Sequence, residues 1–279
     1  MRDPFKIDSP TCLSVSGGRT SGYMLWRVLE ANDGALPPEA IACFANTGKE
    51  EEATLRFVRD MSVHWNVPIV WVEYRNDEQG YAIVDFDSAS RNGEPFAAII
   101  AKRQYLPNPV TRFCTIDLKI RPMAIYLKSL GMGDTKRECE NMSWIGIRAD
   151  EPRRIAKIAD KTRLPLARAG VSVRDVTEFW ARQPFNLELP TYNGRTLAGN
   201  CDLCFLKPNN QIRTLIAQKP ERAVWWAAQE ALALTMTSNP RGAVFRSDRA
   251  SYAAMLKNVG DQKDFLGYDE EAIACFCGD

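Results

Sequence analysis

Residues Ser16-Gly17-Gly18-Arg19-Thr20-Ser21 constrain this chain more than any other stretch. They follow the alternating, strand-like run 11–16 and open a helix-like run over 22–30. A strand, a tight Gly-Gly turn and a helix N-terminus together make an anion site. The first-turn amides of a helix have no intrahelical acceptor, and the macrodipole puts partial positive charge there. Gly17 and Gly18 allow positive φ and close backbone approach. Ser16, Thr20 and Ser21 add hydroxyls, and Arg19 adds a fixed positive charge. A phosphate or sulfate suits such a turn; the alternative is an ordinary Gly-Gly connection.

The alternation continues downstream. Apolar runs at 11–16, 40–45 and 67–74 read as buried strands, with helical periodicity at 21–32 and 50–65 between them. This pattern predicts an α/β fold, a doubly wound and mostly parallel sheet. Ligands bind such sheets outside the carboxyl ends of the strands. Ser14, the Gly-Gly turn and Asn46-Thr47-Gly48 fall at those ends. Residues 75–94 read as a polar loop, 95–104 and 117–130 as helices, and 143–147 as another buried strand. Helices are predicted at 172–183, about 209–218 and 220–236. A weak boundary near 184–190 divides an α/β domain, 1–188, from a Cys-containing helical region, 189–279, packed on it.

The net charge of +1 gives no global polyanion signature, although a local basic patch is compatible with it. The first residues lack the apolar core of a signal peptide, and no apolar run approaches the roughly 20 residues of a membrane span. These observations predict a cytoplasmic protein without a membrane partner. Eight cysteines are many for that compartment, where disulfides are disfavoured. Cys12 and Cys43 read as small buried hydrophobes within strands. Cys201 and Cys204 form a Cys-x-x-Cys loop, and Cys275 and Cys277 lie at the C-terminal end. Those four, with Cys114, call for a chemical explanation. His64 reads as a helix-face residue, and Trp225–Trp226 as core or a helix contact.

Several segments, in order, resemble the phosphoadenosine-phosphosulfate (PAPS) reductase-like branch of the PP-loop ATP pyrophosphatase superfamily. The first is Ser16–Ser21. The second is Asn46-Thr47-Gly48-Lys49-Glu50, similar to the family's Asp-Thr-Gly segment with Asn46 in place of Asp. The third, 112–122, resembles Arg-x-Cys-Cys-x-x-x-Lys-x-x-Pro, with Thr115 in place of the second Cys. It supplies Arg112, Cys114 and Lys119. The fourth runs from Gly146 through Arg148, Asp150 and Glu151 to Arg154 and looks like a turn that faces the nucleotide in relatives.

The resemblance implies an adenine nucleotide alpha hydrolase-like fold that binds ATP or a PAPS-like adenine nucleotide. Arg19, Arg112, Lys119, Arg148 and Arg154 would neutralise its phosphates. Asp150 and Glu151 would hold Mg²⁺ or cap a helix. Cys114, Cys201 and Cys204 would hold a [4Fe–4S] cluster, either with one iron open to a sulfur ligand or with Cys139, Cys275 or Cys277 as the fourth ligand. Structural zinc, or no metal at all, is the alternative. The implied reaction is ATP-dependent adenylation with sulfur transfer to an acceptor, or sulfonucleotide reduction by thiols. Arg19, Lys119, Arg148 and Cys114 are the expected catalytic residues. A sulfur or electron donor protein, a nucleic-acid acceptor and a homo-oligomer are the expected partners. The reading from another class is a non-catalytic nucleotide- or nucleic-acid-binding regulator with a structural zinc.

Overall fold

The computed structural model describes residues 3–192, 195–238 and 240–258. Its centre is a five-stranded sheet in the order β4-β3-β2-β1-β5. The strands are β1 (Thr11–Val15), β2 (Ala40–Asn46), β3 (Ile69–Tyr74), β4 (Tyr81–Val84) and β5 (Ser143–Ile145). β1, β2, β3 and β5 run parallel, and β4 is an antiparallel edge strand on β3. The predicted α/β class and the four parallel strands are therefore present. The expected loop at 75–94 instead contains β4. Tyr81-Ala-Ile-Val84 is apolar throughout, but a run of four inside a polar, turn-rich stretch is too short to show a strand period.

Register fixes which residues share a face. Ser14 lies opposite Cys43 and Ile145, and Cys12 lies opposite Ser143. Cys12, Cys43 and Ala45 therefore point to one side, where α5 (Arg121–Ser129) and α6 (Lys136–Asn141) supply Met123, Ala124, Leu127 and Cys139. Cys12 and Cys43 are fully buried, as small hydrophobes should be. Leu13, Val15, Ala42 and Phe44 point to the other side. There they pack on α1 (Arg19–Ala31), α2 (Glu52–Trp65) and α9 (Val173–Ala181). Ser172 and Asp175 start α9 with a reciprocal capping box, and Thr135 with Glu138 does the same for α6.

A second core joins α3 (Glu94–Arg103) and residues 106–118 to α10 (Asn209–Gln218), α11 (Arg222–Met236) and α12 (Tyr252–Lys257). Trp226 is its fully buried centre, so the Trp pair belongs to the core. His64 stacks on Phe185 at the exposed face of α2, with ring centroids 4.3 Å apart. The segment 113–120 is not a regular helix. A short α4 (Phe113–Thr115) runs into a π-helical turn, Ile116–Ile120, before α5 begins. π-Helical turns inside helices recur at functional sites.

Candidate functional site

The strand order reverses at β1: β2 and β3 follow on one side, and β5 returns on the other. Crevices form at such a point, outside the carboxyl ends of the strands. A cavity of about 480 Å³ lies there, over the face covered by α5 and α6. Ser14, Ser16 and Ser21 line it from β1 and the first turn of α1, and Gly146 lines it from the end of β5. Arg112, Thr115 and Lys119 reach it from the segment around α4. An apolar wall of Ile116, Ile120, Met123, Ala124, Ile145 and Ile158 completes it. Six expected binding residues thus meet in one cavity, although they lie up to 132 positions apart in the chain.

The Gly-Gly turn divides its duties. Gly17 has φ +77, and a Cβ there would come within 2.4 Å of Thr54 Cγ2. This glycine is required by packing against α2. Gly18 has φ −98 and ψ 160, an ordinary extended N-cap, so the expectation of positive φ fails at this residue. No side chain caps α1 and no acidic residue occupies its first turn, which leaves the helix end suited to an anion. Ser21 Oγ accepts from the Ser16 amide (3.0 Å), contacts Ser16 Oγ (3.0 Å) and donates to the Gly18 carbonyl (2.9 Å). Those contacts hold the loop closed.

Arg19 is not a cavity residue. Its guanidinium donates to Asn186 Oδ1 (2.8 Å), Thr191 Oγ1 (2.5 Å) and the Leu187 carbonyl (2.6 Å). Burial lowers its pKa. The expected phosphate ligand is instead a clamp on the connection after α9. Asn46, Thr47 and Gly48 also stay behind the cavity, which takes Ala45 from β2. Asn46 Nδ2 donates to Glu73 Oε1 (2.6 Å) and the Ser90 carbonyl (2.8 Å), while its Oδ1 accepts from the Gly48 amide (3.1 Å).

Glu50 receives the Thr47 amide (3.0 Å) and hydroxyl (2.9 Å), and Lys119 Nζ lies 4.0 Å from its Oε1. Burial raises the Glu50 pKa, and Lys119 opposes the rise. The neighbouring Lys49 pairs with Asp202 (3.2 Å), and Glu50 bridges backbone-to-backbone to Cys201. The Cys-x-x-Cys loop is thereby fastened behind the end of β2.

Thr20 and Arg148 join the turn to the fourth segment: Arg148 Nη1 donates to Thr20 Oγ1 (2.9 Å) and its Nε to Asp150 Oδ1 (2.9 Å). Asp150 Oδ2 accepts from Val173 N (2.8 Å), the first amide of α9. Glu151 accepts from the Arg148 amide (2.9 Å) and from Arg154 Nη1 (2.5 Å). Both carboxylates are committed within the protein, which counts against the expected Mg²⁺. Asp150 satisfies the first amide of α9, whose N-cap is Ser172, and Glu151 makes no side-chain cap of α7 (Pro152–Ile155). Arg154 is 9 % exposed, and its Nε and Nη2 have no hydrogen-bond partner among the described residues.

The cysteines do not assemble a metal centre among the described residues. There, no group of three or more His, Cys, Asp or Glu stands close enough to hold a metal ion. Cys114, Cys201 and Cys204 each pack against the second core. Cys201 Sγ lies 3.4 Å from Thr47 Oγ1. Burial, then the Glu50 charge, raises its pKa well above the usual thiol range. The described donors thus do not fit a [4Fe–4S] cluster or zinc; Cys275 and the expected ligand Cys277 lie outside the described residues.

Arg163 and Glu140 also line the cavity and were missed in the sequence. Arg163 Nε donates to the Ser143 carbonyl (2.9 Å), and burial lowers its pKa against the opposing charge of Glu140. Nothing local marks either residue; only the sheet edge at β5 brings them in.

The chain is 30% identical over 209 residues to the uncharacterized nin region protein ORF290 of Escherichia phage lambda, covering 72% of this chain and 67% of that protein. The chain belongs to the family of this phage protein. No family model matches it, and no solved structure matches it. No helix among the described residues is long and apolar enough to cross a membrane.

Proposed function

We propose that the cavity binds an adenine nucleotide and that the chain acts on it as a PP-loop enzyme of the PAPS reductase-like type. One observation carries this reading. The cavity is lined by the hydroxyls of Ser14, Ser16 and Ser21, by Arg112, Lys119 and Arg163 and by an apolar wall, and it lies beside the uncapped N-terminus of α1. A base fits the wall, and phosphates fit Ser16, Ser21, Arg112 and Lys119.

The reaction favoured is ATP-dependent adenylation followed by sulfur transfer in the cytoplasm. An acceptor oxygen attacks the α-phosphorus, the bond to the bridging oxygen breaks, and pyrophosphate leaves with that electron pair. Hydrosulfide delivered by a donor protein then attacks the activated carbon of the acceptor, and AMP leaves with the electron pair of the broken C–O bond. The chain's part is positioning and charge stabilisation: Lys119 and Arg112 meet the charge that develops on the leaving pyrophosphate. The reading rests on no metal, because the described cysteines do not gather a donor set.

Isothermal titration of the purified chain with ATP and with PAPS tests binding. Pyrophosphate release with candidate acceptors, against sulfite release from PAPS with a thiol reductant, then separates adenylation from sulfonucleotide reduction. Binding of neither nucleotide sinks both. Lys119→Ala and Gly146→Val should each weaken binding at least tenfold.

A further inference from the structure

The chain is nearly neutral overall, with 36 basic and 35 acidic residues, but its charge is uneven. Between Pro152 and Gly170 stand six Lys and Arg against the single acid Asp160. The fold gathers them at one place. α7, the 3₁₀ turn Lys161–Arg163 and α8 (Pro165–Arg168) wrap a small apolar cluster of Ile147, Ile158 and Leu164 beside the β5 edge. That packing leaves Arg153, Lys157, Lys161 and Arg168 exposed. The side chains of Arg153 and Arg168 make no hydrogen bond or ion pair among the described residues.

Two guanidiniums continue the patch inward. Arg163 lines the cavity, and only its Nε is hydrogen-bonded. Arg154 is buried with two nitrogens lacking an acceptor. Buried donors are normally satisfied, so this pair of orphans marks a place for an anion.

The kind of partner follows from what surrounds the charge. Four of the six cations are arginines, whose fork matches phosphate oxygens. Among the described residues, no large apolar side chain is exposed between Leu130 and Val224. A membrane-surface helix needs an apolar face, and a protein interface needs apolar or aromatic anchors. The patch offers neither.

We propose that this surface binds the sugar–phosphate backbone of a nucleic-acid strand and brings one of its nucleotides to the mouth of the cavity. The role of that strand as acceptor rests on the proposed nucleotide chemistry; the binding does not.

Fluorescence anisotropy of the full chain with labelled single-stranded DNA and RNA of about 20 nucleotides, at about 50 and 200 mM salt, tests it. The triple variant Arg153→Ala/Lys157→Ala/Arg168→Ala removes three phosphate contacts. The salt slope should then fall by about two to three. Over that salt range the wild type should lose about 15- to 40-fold more affinity than the variant. Arg56→Ala/Arg59→Ala on α2 is the control and should bind as the wild type does. ATP affinity, measured on the same samples, should be unchanged in the triple variant. Loss of ATP binding with strand binding intact would sink the nucleotide reading alone. No anisotropy change with either strand, equal salt slopes in wild type and triple variant, or binding to phosphatidylserine vesicles without binding to the strands would each overturn the proposal.

Discussion

Asn46→Asp is the substitution whose outcome the structure fixes most tightly. The PP-loop family's comparable segment carries Asp here, so the change looks conservative. In the structure, Asn46 and Glu73 face each other across the β2–β3 ladder, both fully buried. Asn46 Nδ2 donates to Glu73 Oε1 at 2.6 Å, and Arg75 already compensates Glu73 through Oε2 at 2.7 Å. An Asp removes the donor and adds a second carboxylate. At that separation and an effective dielectric of about 20, two charges would repel by about 6 kcal/mol. The pair escapes by binding one proton. Holding a proton at pH 7 on a group that ordinarily releases it near pH 4 costs about 4 kcal/mol.

The expected loss of stability at pH 7 is therefore about 4 kcal/mol. The new carboxyl has its folded pKa raised above its unfolded value. The variant thus recovers stability as pH falls from the folded pKa toward the unfolded one, by about 1.4 kcal/mol per pH unit. A residual loss of about 1 kcal/mol remains from the strained contact with the Ser90 carbonyl. Urea unfolding of wild type and variant between pH 5 and pH 8 measures both quantities. A loss under about 1 kcal/mol at pH 7, or a difference that does not change with pH, would refute the argued geometry of Asn46 and Glu73.

Three other outcomes follow from particular contacts. Arg19→Ala should lower stability by about 2 kcal/mol, since partly exposed charge-assisted bonds contribute less than their buried maximum, and should leave ATP affinity within about threefold; unchanged urea stability with lost ATP binding would return Arg19 to the ligand. Gly17→Ala should cost about 2–5 kcal/mol, from its positive φ and the 2.4 Å approach to Thr54, whereas Gly18→Ala should cost about 1 kcal/mol or less at its extended φ; equal unfolding midpoints for the two would contradict the turn described. Glu230 is buried against the Tyr252 and Phe245 amides, and burial raises its pKa; its folded state binds a proton more tightly than the unfolded chain, so wild type should gain stability over Glu230→Gln as pH falls from 7 toward 5, and a flat difference in urea unfolding counts against it.

The parallel strands were readable because each is an apolar run between turn residues, and burial on both faces demands such runs. β4 was unreadable because its apolar run is only four residues, Tyr81–Val84, set within the polar, turn-rich stretch 75–94. The site was legible as a set of strand ends. Ser14, Ser16 and Ser21 follow from the carboxyl-end rule, whereas Arg112, Lys119 and Gly146 were read from segments that resemble the PAPS reductase-like motifs. Arg163 and Glu140 were not, because they reach the cavity from elements flanking the edge strand β5, and nothing local to their sequence records that edge.

Residue type marks where positive charge is available but does not say which partner takes it. Arg19, Lys49 and Arg148 carry the same charge as Arg112, Lys119 and Arg163, and all six lie near strand ends. Arg19 is consumed by the connection at 186–191, Lys49 by Asp202, and Arg148 by Thr20 and Asp150. Each of these three ties one chain segment to another, and a ligand could recruit it only by breaking such a tie. Arg112, Lys119 and Arg163 line the cavity itself, so a ligand there meets them in place, with Lys119 also 4.0 Å from Glu50 Oε1 and Arg163 also holding the Ser143 carbonyl. The Gly-Gly turn changes meaning in the same way. Gly17 and Arg19 belong to the architecture, and what remains for an anion is the uncapped end of α1 with Ser16 and Ser21 beside it.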